Sequence, residues 1–267
     1  MIEIEEKYLI AIEACLAASK KIMDIYETDF SKELKNDGSP VTEADLNSSK
    51  TIKSFLDKTK IPIIGEELQK VPFSERKNWQ QCWCVDPLDG TKEFIKKNGE
   101  FVINIALIEN HKPIFGIIAQ PVNKKLLFGG KALNGVYLSD FSNVNDSWSW
   151  ELLNELKAIN NPPVIISSRS HFSGDLEKIG NRLKTKYGGY KAIKMGSALK
   201  FFSLCTGRAD IYPRLAPTME WDIAAGQAIY EFLGGEILDF KTKESLSYNK
   251  ESLYNPYFIA KPKRVMF

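Results

Sequence analysis

Val85-Asp86-Pro87-Leu88-Asp89-Gly90-Thr91-Lys92-Glu93-Phe94 is the stretch on which the reading of this chain turns. An apolar run from Trp83 to Val85 has strand composition and reaches Asp86. There Pro87 is expected to force a turn that Asp89-Gly90 tightens. Such a turn would aim two carboxylates, three positions apart, at one point, with the Leu88 carbonyl between them. Hard oxygen ligands at that spacing suit Mg²⁺, which takes a few carboxylates, several waters and phosphate oxygens of a substrate. Read alone, the same residues describe a solvated Asp-Gly turn equally well.

Moving outward, Gly65-Glu66-Glu67 follows the apolar run Ile61 to Ile64 and offers carboxylates at a strand end. Trp221-Asp222 opens a stretch of helical periodicity through Leu233, stopped by Gly234-Gly235. An acid at a helix start ordinarily complements the helix dipole, and the same holds for Asp45 behind the expected N-cap Thr42. Helices are predicted from about Glu5 to Tyr26, from Thr42 through Phe55, over Asp175–Leu183 and over Ala198–Cys205. Strands are predicted at Val102–Ile108, Ile114–Ile118, Val164–Ser167, Ala192–Lys194, Ala209–Pro213 and Glu236–Leu238. Phe101, Phe115 and Phe128 read as core strand residues, whereas 138–162 reads as polar and irregular. Asn160-Asn161-Pro162-Pro163 is the expected seam between an α+β part, 1–162, and an α/β part, 163–267. The tail Lys261-Pro262-Lys263-Arg264 reads as a solvated basic end.

Composition narrows the class. With 267 residues, 43% hydrophobic and 26% charged, the chain has the make-up of an ordinary soluble protein with a sizeable core. A net charge of +2 argues against nucleic-acid or membrane partners. Attraction for an anion must then come from local charges or bound cations. The acidic start, Ile2 to Glu6, is unlike a secretory signal, and no stretch is long and apolar enough to span a bilayer, so a cytoplasmic protein is expected. Cys82 and Cys84, either side of Trp83, are expected on opposite faces of one strand and as poor disulfide partners, with reduced thiols throughout.

Taken together, Gly65-Glu66-Glu67, Asp86-Pro87-Leu88-Asp89-Gly90-Thr91 and Trp221-Asp222-Ile223-Ala224-Ala225-Gly226 resemble, in order and spacing, the metal-site signatures of the inositol monophosphatase family. The resemblance runs through most of the chain. It implies a layered αβαβα sandwich and a lithium-sensitive, Mg²⁺-dependent phosphomonoesterase. Glu66, Asp86, Asp89, Asp222 and the Leu88 carbonyl would hold two or three Mg²⁺ ions, with Mn²⁺ as an alternative. Thr91, hydrogen-bonded to Asp45, would activate a water, and the Gly90 and Thr91 amides would meet phosphate oxygens.

Four further features resemble the 3'(2'),5'-bisphosphate nucleotidase branch of that family, the CysQ type. They are Thr91-Lys92-Glu93-Phe94-Ile95 with Asn98-Gly99-Glu100-Phe101; Ser167-Ser168-Arg169-Ser170-His171; Met195-Gly196-Ser197-Ala198-Leu199-Lys200-Phe201; and Tyr212-Pro213-Arg214 with Pro217-Thr218. Ala198 lacks a hydroxyl that would complete the third. The resemblance implies adenosine 3',5'-bisphosphate as substrate, with its phosphosulfate relative as a second candidate, and a role in sulfate assimilation. Arg214 and Lys200 would face the 5'-phosphate, Ser197 would offer free amides at a helix start, and His171 with Ser168 would contact the nucleoside. The plainer reading of Lys200, Arg214 and His171 is solvated surface chemistry. Two other readings stand beside this one: an inositol-1-phosphate phosphatase with the same metal site, and a catalytically silent nucleotide sensor. Monomer and homodimer both remain open.

Overall fold

The computed structural model describes residues 4–34, 38, 40–143, 149–167 and 174–265. Helix α1 (Glu6–Tyr26) leads into an antiparallel pair, β1 (Lys32–Leu34) and β2 (Pro40–Thr42), and then α2 (Glu43–Leu56). A seven-stranded sheet follows in chain order: β3 (Ile63–Gly65), β4 (Gln81–Asp89), β5 (Val102–Glu109), β6 (Lys112–Gln120), β7 (Lys125–Gly130), β8 (Gly135–Asp140) and β9 (Glu151–Leu153). Only the β3–β4 pairing in it is parallel. Short helices α3 (Phe73–Arg76) and α4 (Thr91–Ile95) lie in its connections.

The second part of the chain alternates β10 (Val164–Ser167), α5 (Gly174–Tyr187), β11 (Lys191–Lys194), α6 (Leu199–Cys205), β12 (Tyr212–Arg214), β13 (Thr218–Met219) and α7 (Glu220–Phe232). It ends in β14 (Gly235–Asp239), β15 (Tyr254–Asn255) and β16 (Phe258–Pro262). β16 lies between β12 and β14, and a bridge from Ile165 to Ile211 joins the parallel β10–β11 pair to that small sheet.

Layering follows from which faces are apolar. Tyr8, Ala11, Cys15, Ala18 and Ile22 of α1 and Ile52 of α2 bury against Trp83, Val85, Ile103, Ile105 and Ile117 on one face of the large sheet. Each fully buried Ile there contributes roughly 1.5–3 kcal/mol of transfer free energy. The opposite face packs on α6 and α7, whose far side meets Tyr212, Ile237 and Phe258 of the small sheet. Leu176, Ile179 and Leu183 of α5 close the outer face over Ile165, Ile211 and Ile259. Helices, sheet, helices, sheet and helix therefore stack as the expected αβαβα sandwich. α7 lies so close to the large sheet that a Cβ on Gly116 would stand 2.2 Å from the Ala225 carbonyl oxygen.

Three expectations change. Cys82 and Cys84 share the face that packs on α7, while Trp83 points to α1, because side chains two apart on a strand lie on the same side. All four cysteines are buried free thiols. The basic tail is not solvated at Lys261. That residue belongs to β16, is buried, and donates from Nζ to Glu236 and to the Val265 carbonyl at 2.6 Å. Arg264 donates to the Leu156 and Lys157 carbonyls. Within 138–162, the edge strand β9 pairs with β8, leaving Glu151 and Leu152 exposed and so without an alternating apolar signal.

Candidate active site

β4 delivers the Asp86–Thr91 loop. The ladder with β5 pairs Asp86 with Asn104 and Asp89 with Val102, with a register break between them. The break is a bulge in an extended chain rather than the expected turn. Pro87 has no N–H to give the ladder, so pairing lapses there without ending the strand. The Leu88 amide donates to Asp86 Oδ1 at 3.0 Å, and Ser48 of α2 donates to the Pro87 carbonyl at 2.7 Å. Gly90 then adopts φ +103°, where a Cβ would stand 2.9 Å from the Glu100 carbonyl oxygen, so only glycine passes here.

α2 supplies the partner of the residue that follows. Thr42 caps α2 through the Ala44 amide at 3.2 Å, and its own amide and hydroxyl donate to Asp45 Oδ2 at 2.8 and 2.6 Å. That leaves Asp45 Oδ1 to accept from the Thr91 hydroxyl at 2.9 Å. Asp45 is therefore both a helix cap and the partner of Thr91, 46 positions away. A longer contact of 3.5 Å joins the Thr91 hydroxyl to the Leu88 carbonyl.

Glu66, at the end of β3, and Asp222, in the first turn of α7, meet Asp86 and Asp89 electrostatically. Burial, and then the nearby charges of Glu66, Asp89 and Asp222, hold the Asp86 carboxyl well above the usual carboxylate range. Burial and Asp89 push Asp222 up to about 8, against the pull of the Met219 amide, which donates to Asp222 Oδ2 at 2.9 Å. A cluster of mutually repelling, buried carboxylates is the donor set a divalent cation relieves. Among the described residues, no three His, Cys, Asp or Glu side chains close into a ready-made cage. Two carboxylates have an oxygen turned elsewhere: Asp89 Oδ2 accepts from the Ser197 hydroxyl at 2.9 Å and the Ala198 amide at 2.6 Å, and Asp222 Oδ2 faces Met219. An open, oxygen-only set of this kind fits Mg²⁺, which keeps much of its water, and not zinc. Asn104 supports the fit. It is buried opposite Asp86, its Nδ2 is 3.4 Å from Asp89 Oδ2, and its Oδ1 is a buried acceptor with no donor among the described residues. An ordered water held by a cation would satisfy that atom.

The cleft beside this cluster has a volume of about 230 Å³ and is lined by Asp89, Lys92, Ser197, Lys200, Arg214 and Asp222 among others. Lys200 is buried, not surface charge. Its Nζ donates to the carbonyls of Ser197 and, at 3.4 Å, Met195, and lies 5.2 Å from the Tyr212 ring centre. Burial lowers its ammonium to about 8, partly offset by Asp89. Arg214, half-buried at the end of β12, donates to the Pro217 carbonyl at 3.0 Å. Ser197 takes the left-handed conformation, φ +54°, ahead of α6. Contrary to expectation, the neighbouring Ala198 amide is not free for an anion. The Asp89 carboxylate takes it, because a charged acceptor makes the stronger bond. Ser168 and His171 lie outside the described residues.

Sequence reading assigned no role to Ser48, Asn104 or Glu100. Asn104 could have been found from its place opposite Asp86 once β4 and β5 were paired. Glu100 Oε2 accepts from the Gly196 amide at 2.9 Å across 96 positions, and nothing local marks that contact.

The sequence profile described as the Inositol monophosphatase family matches residues 3–264. A 3'(2'),5'-bisphosphate nucleotidase CysQ of Salmonella typhimurium is 36% identical over 249 residues, covering 90% of this chain and 94% of that one. The enzyme of that name from Buchnera aphidicola is 37% identical over 244 residues, covering 88% and 85%. The crystal structure of CysQ from Bacteroides thetaiotaomicron superposes with a TM-score of 0.83 at 39% identity, covering 96% of this chain and 97% of that one. No described helix is long and apolar enough to cross a membrane.

Proposed function

The chain belongs to the inositol monophosphatase family, and from that premise we propose that it is a Mg²⁺-dependent 3'(2'),5'-bisphosphate nucleotidase. The reaction is hydrolysis of adenosine 3',5'-bisphosphate to AMP and phosphate. Water attacks phosphorus in line, the P–O3' bond breaks, and the ribose oxygen leaves with a proton. The observation that carries this reading is the Asp45–Thr91 hydrogen bond of 2.9 Å, three residues after Leu88 on the Asp86–Thr91 loop, together with a cleft lined by Asp89, Asp222, Lys200 and Arg214.

Glu66, Asp86, Asp89, Asp222 and the Leu88 carbonyl are the residues that would hold the cations. Mg²⁺ bound there supplies charge neutralisation and Lewis acidity at the scissile phosphate. Thr91, with its proton directed to Asp45, keeps its lone pairs for the attacking water and orients it, and Asp45 stabilises the positive character that develops. Placement of this kind contributes roughly 10²–10⁴-fold in rate. Lys200 and Arg214 select the substrate by its second, non-reacting phosphate; Arg offers a planar fork and Lys a compact charge.

The test is phosphate release from adenosine 3',5'-bisphosphate and from inositol 1-phosphate side by side, with Asp89→Asn as control. The nucleotide should be preferred by at least about tenfold in kcat/KM, given the worth of one charged hydrogen bond. Activity on both should vanish in the variant. Preference for the inositol ester would overturn the substrate assignment, and turnover surviving Asp89→Asn would overturn the metal site.

A further inference from the structure

The loop joining β11 to α6, Met195–Ala198, forms the far wall of the cleft, and the contacts that hold it come from several elements. The Met195 amide donates to the Ser167 carbonyl at 3.1 Å. Asp89 takes the Ser197 hydroxyl and the Ala198 amide, while Lys200 reaches back to the Met195 and Ser197 carbonyls. A further anchor is Glu100, whose Oε2 accepts from the Gly196 amide at 2.9 Å.

Glu100 is built for that contact at both ends. It follows Lys97 and Gly99, both in left-handed conformations at φ +53° and +76°, and its amide donates to Asn98 Oδ1 at 2.9 Å. Those turns fix its direction. Its carbonyl oxygen is the atom that a Cβ on Gly90 would meet at 2.9 Å, so the Glu100 backbone backs directly on the Asp86–Thr91 loop. Its carboxylate packs on Gly196 tightly enough that a Cβ there would stand 3.2 Å from Oε2 and 2.9 Å from Glu93 Cγ. One residue thus spans the gap between the loop that carries the carboxylate cluster and the loop that carries Ser197 and leads into Lys200. It does so from behind the cleft, on a neighbouring pocket that it lines with Asn98, Met195, Leu199 and Phe202.

We propose that Glu100 is a positioning residue for substrate selection: through Gly196 it sets the height of the Met195–Ala198 loop, and with it the place of Lys200 relative to the scissile centre. This rests on the nucleotidase reading above. Glu100 is not among the described residues that line the cleft beside the carboxylate cluster, so its loss should act on binding of the non-reacting phosphate and not on the chemical step.

The experiment compares Glu100→Ala and Glu100→Gln with the full-length protein in two measurements. The first is amide hydrogen exchange at Gly196, which needs no substrate. The second is steady-state kinetics on adenosine 3',5'-bisphosphate and inositol 1-phosphate. In Glu100→Ala, exchange at Gly196 should quicken by about tenfold, the worth of a lost charged hydrogen bond. KM for the bisphosphate should rise by about tenfold, with kcat and the KM for inositol 1-phosphate within about twofold. Glu100→Gln keeps an acceptor oxygen and should recover most of both effects. Unchanged exchange in Glu100→Ala, or equal rises in KM for the two substrates, or a fall in kcat alone, would overturn the role. A wild-type enzyme indifferent to the 5'-phosphate would sink the nucleotidase reading and the role with it. A selective wild type whose Glu100→Ala variant loses nothing would sink only the role.

Discussion

The Asp86–Thr91 loop and the loop facing it, Met195–Ala198, reach the same cleft by opposite routes. The first is one short run at the end of β4, the strand next to the edge of a seven-stranded sheet, braced by Ser48 and by Asp45. The second lies between elements of four and seven residues and takes its shape from Ser167, Asp89, Glu100 and Lys200, none of them in the loop itself. The difference has a physical basis. Chemistry at a phosphate needs several carboxylates and a hydroxyl fixed within fractions of an ångström, and a buried strand with a bulge delivers them from adjacent positions. Selection of a second phosphate needs only charge at a suitable distance, which a loop held by a few remote struts can supply.

If this division holds, damage on the two sides should look different. The largest effect belongs to the chemistry side: Thr91→Val, which keeps the shape and removes the hydroxyl, should lower kcat by roughly 10²–10⁴-fold. KM and the nucleotide-to-inositol preference should be unchanged, and Thr91→Ser should restore most of the rate. A change in preference instead of rate would erase the distinction between the two sides.

A smaller effect sharpens the electrostatics of the cluster. Asp222 is held up to about 8 by burial and by Asp89, so it is mostly neutral below that pH, and a cation must displace its proton. Apparent Mg²⁺ affinity should therefore climb with pH, by roughly 50-fold between pH 6 and pH 8 for one such proton. Titration calorimetry should show proton release on binding in that window. In Asp222→Asn affinity should be weaker throughout and its pH slope shallower. A flat profile in the wild type would mean that the cluster is ionised without its cation.

The same contrast explains what could be read in advance. α1, α2 and α7 carry apolar residues at helical spacing on a face that packs on the large sheet, and the sequence shows them within a residue or two. Asp86 and Asp89 are legible because their signal is local, although Pro87 and Asp89-Gly90 read as a turn where the chain makes a bulge. Asp45 is ambiguous in sequence for a reason now visible: one oxygen caps its helix, as any first-turn acid would, and the other meets Thr91. β16 is masked in sequence by Lys261, a charge that the fold satisfies internally and that reads as solvent-facing. Glu100 stands in a stretch that resembles the nucleotidase branch, but its contact is not legible there, since it lies in the amide of Gly196, 96 positions on.

The most direct test of the division is Arg214→Ala, a cut on the selecting side alone, assayed for kcat and KM on adenosine 3',5'-bisphosphate and inositol 1-phosphate. The account predicts a KM for the bisphosphate higher by about tenfold or more, with kcat and both constants for the inositol ester within about twofold. Equal losses on the two substrates would contradict it, and would mean that Arg214 serves the reaction and not the choice of substrate.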